Sequence, residues 1–287
     1  MFLFFHFRNF FFLKVMKLLP AVLFGSFLFS APVSKSQELF SSGARIESLS
    51  GASVGLSGCW SVYGNQAGLA QIARSEFGGS FQNRFLISEL STRSLAFAFP
   101  VQSSVFAVSI SQFGKIPFRQ EKFGIAYARQ IYPQLNFGIQ FNYYRLYLPE
   151  DNRNAGSSGI ELGIQYLLSR QLILGIHILN PYQTGITTMS GKFLYPGRIN
   201  LGALFHLSNS FSLSSELEND FTRHLIIRTG LEYTILEKLF LRAGFSGKPY
   251  QLSAGIGFQV KKLTIDLASS YNQYLGNSPS VSFQFQF

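Results

Sequence analysis

After residue 76, apolar and polar positions alternate along most of the chain. Leu135, Phe137, Ile139, Phe141 and Tyr143 are interleaved with Asn136, Gly138, Gln140 and Asn142. Ile160, Leu162, Ile164, Tyr166 and Leu168 alternate with Glu161, Gly163 and Gln165. Ile199, Leu201, Ala203, Phe205 and Leu207 do the same against Arg198, Asn200, Gly202 and His206. Side chains on a strand point to opposite faces in turn, so a period of two predicts strands with one oily and one polar face. Read in this way, the sequence predicts strands over 77–87, 93–100, 104–113, 121–131, 135–147, 158–168, 171–180, 196–207, 210–218, 225–235, 238–246, 250–260, 262–272 and 278–287.

A soluble β-sandwich also alternates, so the composition of each face matters. Lys, Glu and Thr dominate the solvent face of a soluble sheet. Here the polar parity carries Gly, Ser, Ala, Gln and Asn with isolated charges, and the apolar parity is bulky and aromatic. Lipid outside and a narrow polar lumen inside reproduce that inversion. The segments also approach the roughly 9–11 residues that a tilted strand needs to cross a bilayer. The predicted fold class is all-β: a transmembrane antiparallel β-barrel of about 14 strands with a small N-terminal plug segment. Connections are short at Ser169-Arg170 and Lys261-Lys262 and longer from Glu150 to Ser157 and from Pro181 to Gly191. That alternation predicts tight turns on the periplasmic side and longer outer loops.

The N-terminus has a different character. Lys17 precedes an apolar run from Leu18 to Phe29, followed by Ser30, Ala31, Ser34 and Ser36, the order of a secretory signal peptide cut near Ser36/Gln37. The pattern restarts at Met16, which is therefore a candidate initiator. A membrane anchor from Met1 to Phe29 is the alternative, although Arg8, Lys14 and Pro20 interrupt it. The predicted organisation is a signal peptide at 1–36, a plug segment at 37–76 and the barrel at 77–287. Phe40 to Ile72 is rich in Gly, Ser and Ala, too polar to face lipid, and fits the barrel interior or its periplasmic mouth.

Composition agrees with this reading. The 287 residues are 47% hydrophobic and 16% aromatic but only 13% charged, and ten of the 32 Phe lie in the leader. A soluble domain carries roughly 25% charged residues. The leader holds Arg8, Lys14, Lys17 and Lys35 and no acid, so its removal lowers the net charge from +10 to +6. The remaining basic residues form no stripe, and nucleic acid is not an expected partner. Cys59 has no second cysteine to pair with, which excludes a disulfide scaffold.

Within the plug segment, Gly43-Ala44-Arg45, Gly51-Ala52, Trp60-Ser61-Val62 and Asn65-Gln66-Ala67-Gly68-Leu69-Ala70 resemble the N-terminal signature of the PorV/PorQ-like outer-membrane barrels, relatives of the fourteen-stranded FadL fatty-acid transporters. Two positions depart from that pattern. Ser50 stands where the central element has its first Gly, and Gln66 replaces the Pro of Asn-Pro-Ala-Gly-Leu. The resemblance implies an outer-membrane location in a Bacteroidetes-type bacterium and a non-enzymatic part in type IX protein secretion, with secretion-system proteins or cargo as partners. FadL-like transport of hydrophobic small molecules is the alternative it carries. The alternating last strand, Phe283, Phe285 and the terminal Phe287, resembles the signal read by the barrel-assembly machinery.

Candidate chemistry is confined to the polar parity: Glu161, His177, Arg198, His206, Arg228, Glu232, Arg242 and Asp266. They are read as a lumen network holding the plug, or as a substrate or proton path. Arg228 and Glu232 lie roughly 13 Å apart along one strand, and are expected to pair with neighbouring strands. No nucleophile elbow and no H-E-x-x-H is present, so no enzyme, cofactor or metal is expected. A cation at Glu150, Asp151, Asn152 and Asn154 is outweighed by a solvated turn. A sealed lumen with exposed aromatics near Tyr182 or Tyr195 would favour partner binding. A strand kinked near Pro100 or Pro117, with an apolar cavity, would favour transport.

Overall fold

A computed structural model describes residue 40 and residues 43–115, 118–148, 151–188, 191–221 and 225–287, side chains at 151–155, 188 and 191–192 excepted. The predicted leader, the Met16 start, Pro117 and the Glu150 group fall outside the described side chains. Fourteen antiparallel strands close on themselves, and the first strand pairs with the last. In chain order they are β1 (Glu76–Asn83), β2 (Ser91–Val101), β3 (Ser104–Lys115), β4 (Phe118–Tyr132), β5 (Leu135–Leu148), β6 (Asp151–Ser169) and β7 (Leu172–Leu179). After a separate hairpin of β8 (Gly185–Thr188) and β9 (Gly191–Leu194) come β10 (Arg198–His206), β11 (Phe211–Asp220), β12 (Leu225–Ile235), β13 (Leu239–Ser246), β14 (Gln251–Val260), β15 (Leu263–Asn272) and β16 (Gly276–Gln286).

Closure joins Phe77 opposite Phe285 and Phe81 opposite Val281. The Phe287 N–H also donates to the Ser75 carbonyl at 2.9 Å, so the two ends of the barrel chain meet. Closure removes the free edges that an open sheet would expose. At the end where the chain termini meet, residues 102–103, 133–134, 170–171 and 261–262 make tight turns. The opposite mouth carries the longer connections at 84–90 and 180–197.

The two faces of the wall differ as the alternation requires. Ile125, Phe141, Leu231, Leu252, Ile256 and Leu267 stand exposed on the outside. Their inward neighbours, among them Gln140, Gln165, Glu216 and Ser282, are buried. A transmembrane barrel needs this arrangement because lipid, not a protein core, covers its apolar face.

Four sequence expectations need correction. The first strand ends at Asn83, not residue 87; Arg84–Leu86 and Ser88–Leu90 are 3-10 turns, and Phe85 and Leu86 take positive φ angles that a ladder cannot accommodate. Of the expected outer loop from Glu150 to Ser157, residues 151–157 are strand, because β6 runs down from Asp151 and pairs with β5 almost to its tip. The expected loop from Pro181 to Gly191 contains β8, which pairs with β9. Pro100 stays in register opposite Val105 and marks no break in β2.

Residues 43–72 lie inside the barrel. A short α-helix (Ala44–Ser48) and two 3-10 helices (Cys59–Tyr63 and Gln66–Gln71) follow one another across the lumen. Ile46, Leu49, Leu56, Trp60, Tyr63 and Leu69 form a buried cluster with the inward alanines Ala96, Ala98, Ala107, Ala126 and Ala128 of β2–β4. Small inward residues leave the wall thin there, and the plug's apolar side chains fill the space.

Candidate functional site

Inward glycines act as sockets for the plug. A Cβ at Gly138 would lie 2.4 Å from the Gln66 carbonyl carbon and 2.5 Å from Ala67 N. At Gly244 it would lie 2.6 Å from the backbone at Leu49 and Ser50. Plug backbone therefore rests directly on strand backbone at these points. A larger residue would have to push the plug away.

The predicted plug residues are spent on this seating. Gly43 adopts φ 87° beneath the Trp60 ring, and Trp60 also covers Gly78. Ala44 N–H donates to Ser282 Oγ at 2.9 Å. Gly51, at φ 84°, lies against the Arg228 guanidinium, and Ala52 is buried. Asn65 caps the second 3-10 helix: its Oδ1 accepts from Ala67 N–H at 3.1 Å, while its Nδ2 donates to the carbonyls of Val54 and Ile164. Gly68 lies under the Leu56 carbonyl, and Ala67 and Leu69 are fully buried.

The predicted lumen charges divide into three groups. In the first, Glu161 on β6 accepts from Lys122 Nζ at 2.6 Å, Asn142 Nδ2 at 2.8 Å and Gln66 Nε2 at 2.6 Å, and lies 3.0 Å from His177 Nε2. In the second, Glu218 on β11 pairs with Arg198 at 3.2 Å and Arg228 at 3.0 Å. Beside it, Glu216 accepts from the N–H groups of Ser53 and Val54 and from Asn200 Nδ2. In the third, Arg45 of the plug holds Glu232 at 2.8 Å, and Arg242 bridges Glu232 and Asp266. Arg228 and Glu232 thus look to opposite neighbouring strands, one to β11 and one to β13. His206 joins none of them; it is exposed at the end of β10, past the reach of the plug. Charges in so narrow a space persist because each meets an opposite charge or a hydrogen bond.

Sequence reasoning missed Lys122, Glu216 and Glu218, all of which stand on the polar parity of their strands. The run Ser212, Ser214, Glu216, Glu218 carried the same signal as the residues chosen. Gln66, noted only as a departure from a motif, donates the plug's hydrogen bond to Glu161. Glu76 was also missed; it accepts from Cys59 N–H and from Gln284 and Gln286, tying plug, first strand and last strand together.

At the long-loop mouth, the 180–197 connection turns inward over the plug. Ile186 and Tyr195 are buried against Tyr144 and Leu146, with Phe40 and Phe193 alongside. The Tyr144 and Tyr195 rings stack at 4.2 Å, and Phe193 meets Tyr195 edge-on at 5.4 Å. Tyr182, in contrast, is fully in the open at the tip. Between this aromatic lid and the charged groups of Glu161 and Glu218 lies a cavity of about 50 Å³. That is room for a few waters.

No family model and no curated protein matches the sequence. Solved structures share the fold. The Pseudomonas putida toluene transporter TodX superposes with a TM-score of 0.71 at 12% identity, over 89% of this chain and 100% of that one. The Ralstonia pickettii toluene transporter TbuX gives 0.68 at 12% identity, over 87% and 99%. A Pseudomonas aeruginosa FadL homologue gives 0.62 at 10% identity, over 85% and 98%. The chain therefore has the architecture of the FadL-related fourteen-stranded barrels.

Proposed function

We propose that this chain is an outer-membrane barrel that admits small hydrophobic molecules, as its structural neighbours named for toluene transport do. The observation that carries the reading is the aromatic lid over the plug: Phe40 and Phe193, half-buried, offer aromatic surface at an inward-folded mouth, backed by the buried stack of Tyr144 and Tyr195. The charged groups below hold the plug and leave the lid as the apolar part of the route. Delivery to this membrane rests on the leader and on Phe283, Phe285 and Phe287, proposed as the assembly signal.

The experiment compares uptake of radiolabelled toluene and of a long-chain fatty acid by cells with and without the gene. Loss of either uptake on deletion, restored by the gene, is the expected result. Unchanged uptake of both would overturn it. The type IX secretion reading rests on the Gly43–Leu69 motif, most of whose residues are spent on plug seating, and it is favoured by the exposed Tyr182 and by the unbroken β2 at Pro100. It predicts instead that deletion leaves uptake intact while secreted cargo accumulates in the periplasm.

A further inference from the structure

Charged side chains are nearly absent from the outward face of the barrel, and the exceptions are gathered on one side. Among the described strand residues, outward positions of β1, β3, β6, β7 and β10–β16 carry no Asp, Glu, Lys or Arg. Toward the long-loop mouth, β2 presents Arg93, β4 presents Arg119 and Glu121, and β5 presents Arg145, all on the outward parity; Arg129 stands outward at the tight-turn end of β4. Pairing places Arg93 opposite Gln112, Gln112 opposite Glu121 and Glu121 opposite Arg145, one continuous row across four strands. Glu121 lies 3.2 Å from Arg119 and 3.8 Å from Arg145. Arg93 is exposed and has no hydrogen-bond or ion-pair partner among the described residues. Three arginines against one glutamate leave an excess of positive charge on an otherwise uncharged wall.

An apolar groove of about 500 Å³ opens beside Arg93 on the same outer face. Leu95, Ile110 and Phe283 line it, the Phe283 ring lying over Gly79, and Arg93 and Gln112 stand at its mouthward end. From Val101, at the tight turn, to Arg93 the strand runs about 26 Å at roughly 3.3 Å per residue. Barrel strands are tilted by roughly 35–45°, which puts Arg93 near the far edge of an apolar band about 25 Å tall. An arginine is costly at mid-bilayer and tolerated near the interface, where lipid phosphates lie. Its planar fork matches a phosphate's oxygens in two parallel hydrogen bonds.

We propose that this face binds a phosphorylated membrane lipid, its phosphate on Arg93 within the field of Arg119 and Arg145, and an acyl chain along the groove against Leu95, Ile110 and Phe283. The site is independent of what crosses the lumen. It calls for an anionic headgroup, because a neutral one would gain nothing from the unpaired guanidinium, and for a chain, because the charge sits at the end of an oily trough.

Native mass spectrometry of the full barrel, purified in detergent, tests this with two probes: doubly phosphorylated lipid A and the same lipid after phosphatase treatment. The expected result is at least tenfold greater retention of the phosphorylated form. Arg93→Gln should reduce it to the dephosphorylated level, while Arg129→Gln, at the other end of β4, leaves it unchanged. A heat-shift gel confirms that each variant is a folded barrel. Equal retention of the two lipids, or undiminished retention by folded Arg93→Gln, would overturn the proposal. Full displacement by millimolar inorganic phosphate would also overturn it, since the groove would then contribute nothing.

Discussion

Gln66 Nε2 donates to Glu161 Oε2 at 2.6 Å, across the boundary between plug and barrel wall. The same carboxylate serves Lys122 and Asn142 and faces His177, so one wall residue fixes the plug and neutralises a buried ammonium. The two side chains therefore differ in what their loss costs. Removing one partner of a buried ion pair costs about 3–5 kcal/mol, whereas losing a hydrogen bond to a charged group costs about 1.5–3 kcal/mol. Glu161→Ala is expected to destabilise the barrel by the larger amount and Gln66→Ala by the smaller. Urea unfolding of the protein in lipid vesicles measures both, and a larger loss for Gln66→Ala would contradict the assignment.

Gly138→Val should unseat the plug without unfolding the wall. The new side chain would occupy the space of Gln66 and Ala67, while its outward neighbours stay unchanged. Limited proteolysis is expected to cut residues 43–72 in this variant and to spare them in the parent. Gly247→Ala is the control, because its Cβ would meet nothing closer than 3.5 Å.

Cys59 should behave as an inert thiol. It is fully buried, and burial first, then the neighbouring Glu76 carboxylate, push its pKa well up. A raised thiol pKa means less thiolate, the reactive form, at any given pH. Maleimide labelling of the folded barrel should stay near zero from pH 7 to pH 9. In denaturant, labelling should be complete and should accelerate over the same interval, as an exposed cysteine titrates. Labelling of the folded protein that rises with pH would show that the plug leaves Cys59 open.

Tyr195→Ala should alter capture at the mouth more than stability of the wall. It removes a ring stacked at 4.2 Å on Tyr144, an interaction contributing about 0.5–1.5 kcal/mol beyond its buried area. Uptake of toluene is expected to fall several-fold while the unfolding midpoint of the barrel moves little. Unchanged uptake would remove the lid from the proposed route.

Much of the barrel was legible because lipid imposes a strict rule on every strand. The pairs Leu135/Asn136 through Tyr143/Tyr144 show where that rule holds: the outward residue is apolar, and the inward one is small or polar until Tyr144 reaches the aromatic lid. Beyond the bilayer the rule lapses. Residues 151–157 read Asp-Asn-Arg-Asn-Ala-Gly-Ser and carry no oily face, yet the backbone pairing of β5 and β6 continues through them. The β8–β9 hairpin is hidden for the same reason. Within the lumen, the charges at Arg228 and Arg242 were visible as inward positions, but their partners depend on register, which alternation alone does not supply. Gly138 and Gly244 look like weak strand residues until the plug that rests on them is in place.

The proposed passage of hydrophobic molecules runs through a lumen that residues 43–72 fill, so it requires the plug to move. Ser50 Oγ of the plug and Ser253 Oγ of β14 lie 3.0 Å apart, close enough for a disulfide once both are replaced by cysteine. The direct measurement is toluene uptake by cells carrying Ser50→Cys with Ser253→Cys, oxidised and then reduced. Uptake is expected to be lost when the plug is locked and recovered on reduction. Equal uptake in the locked and released states would contradict it.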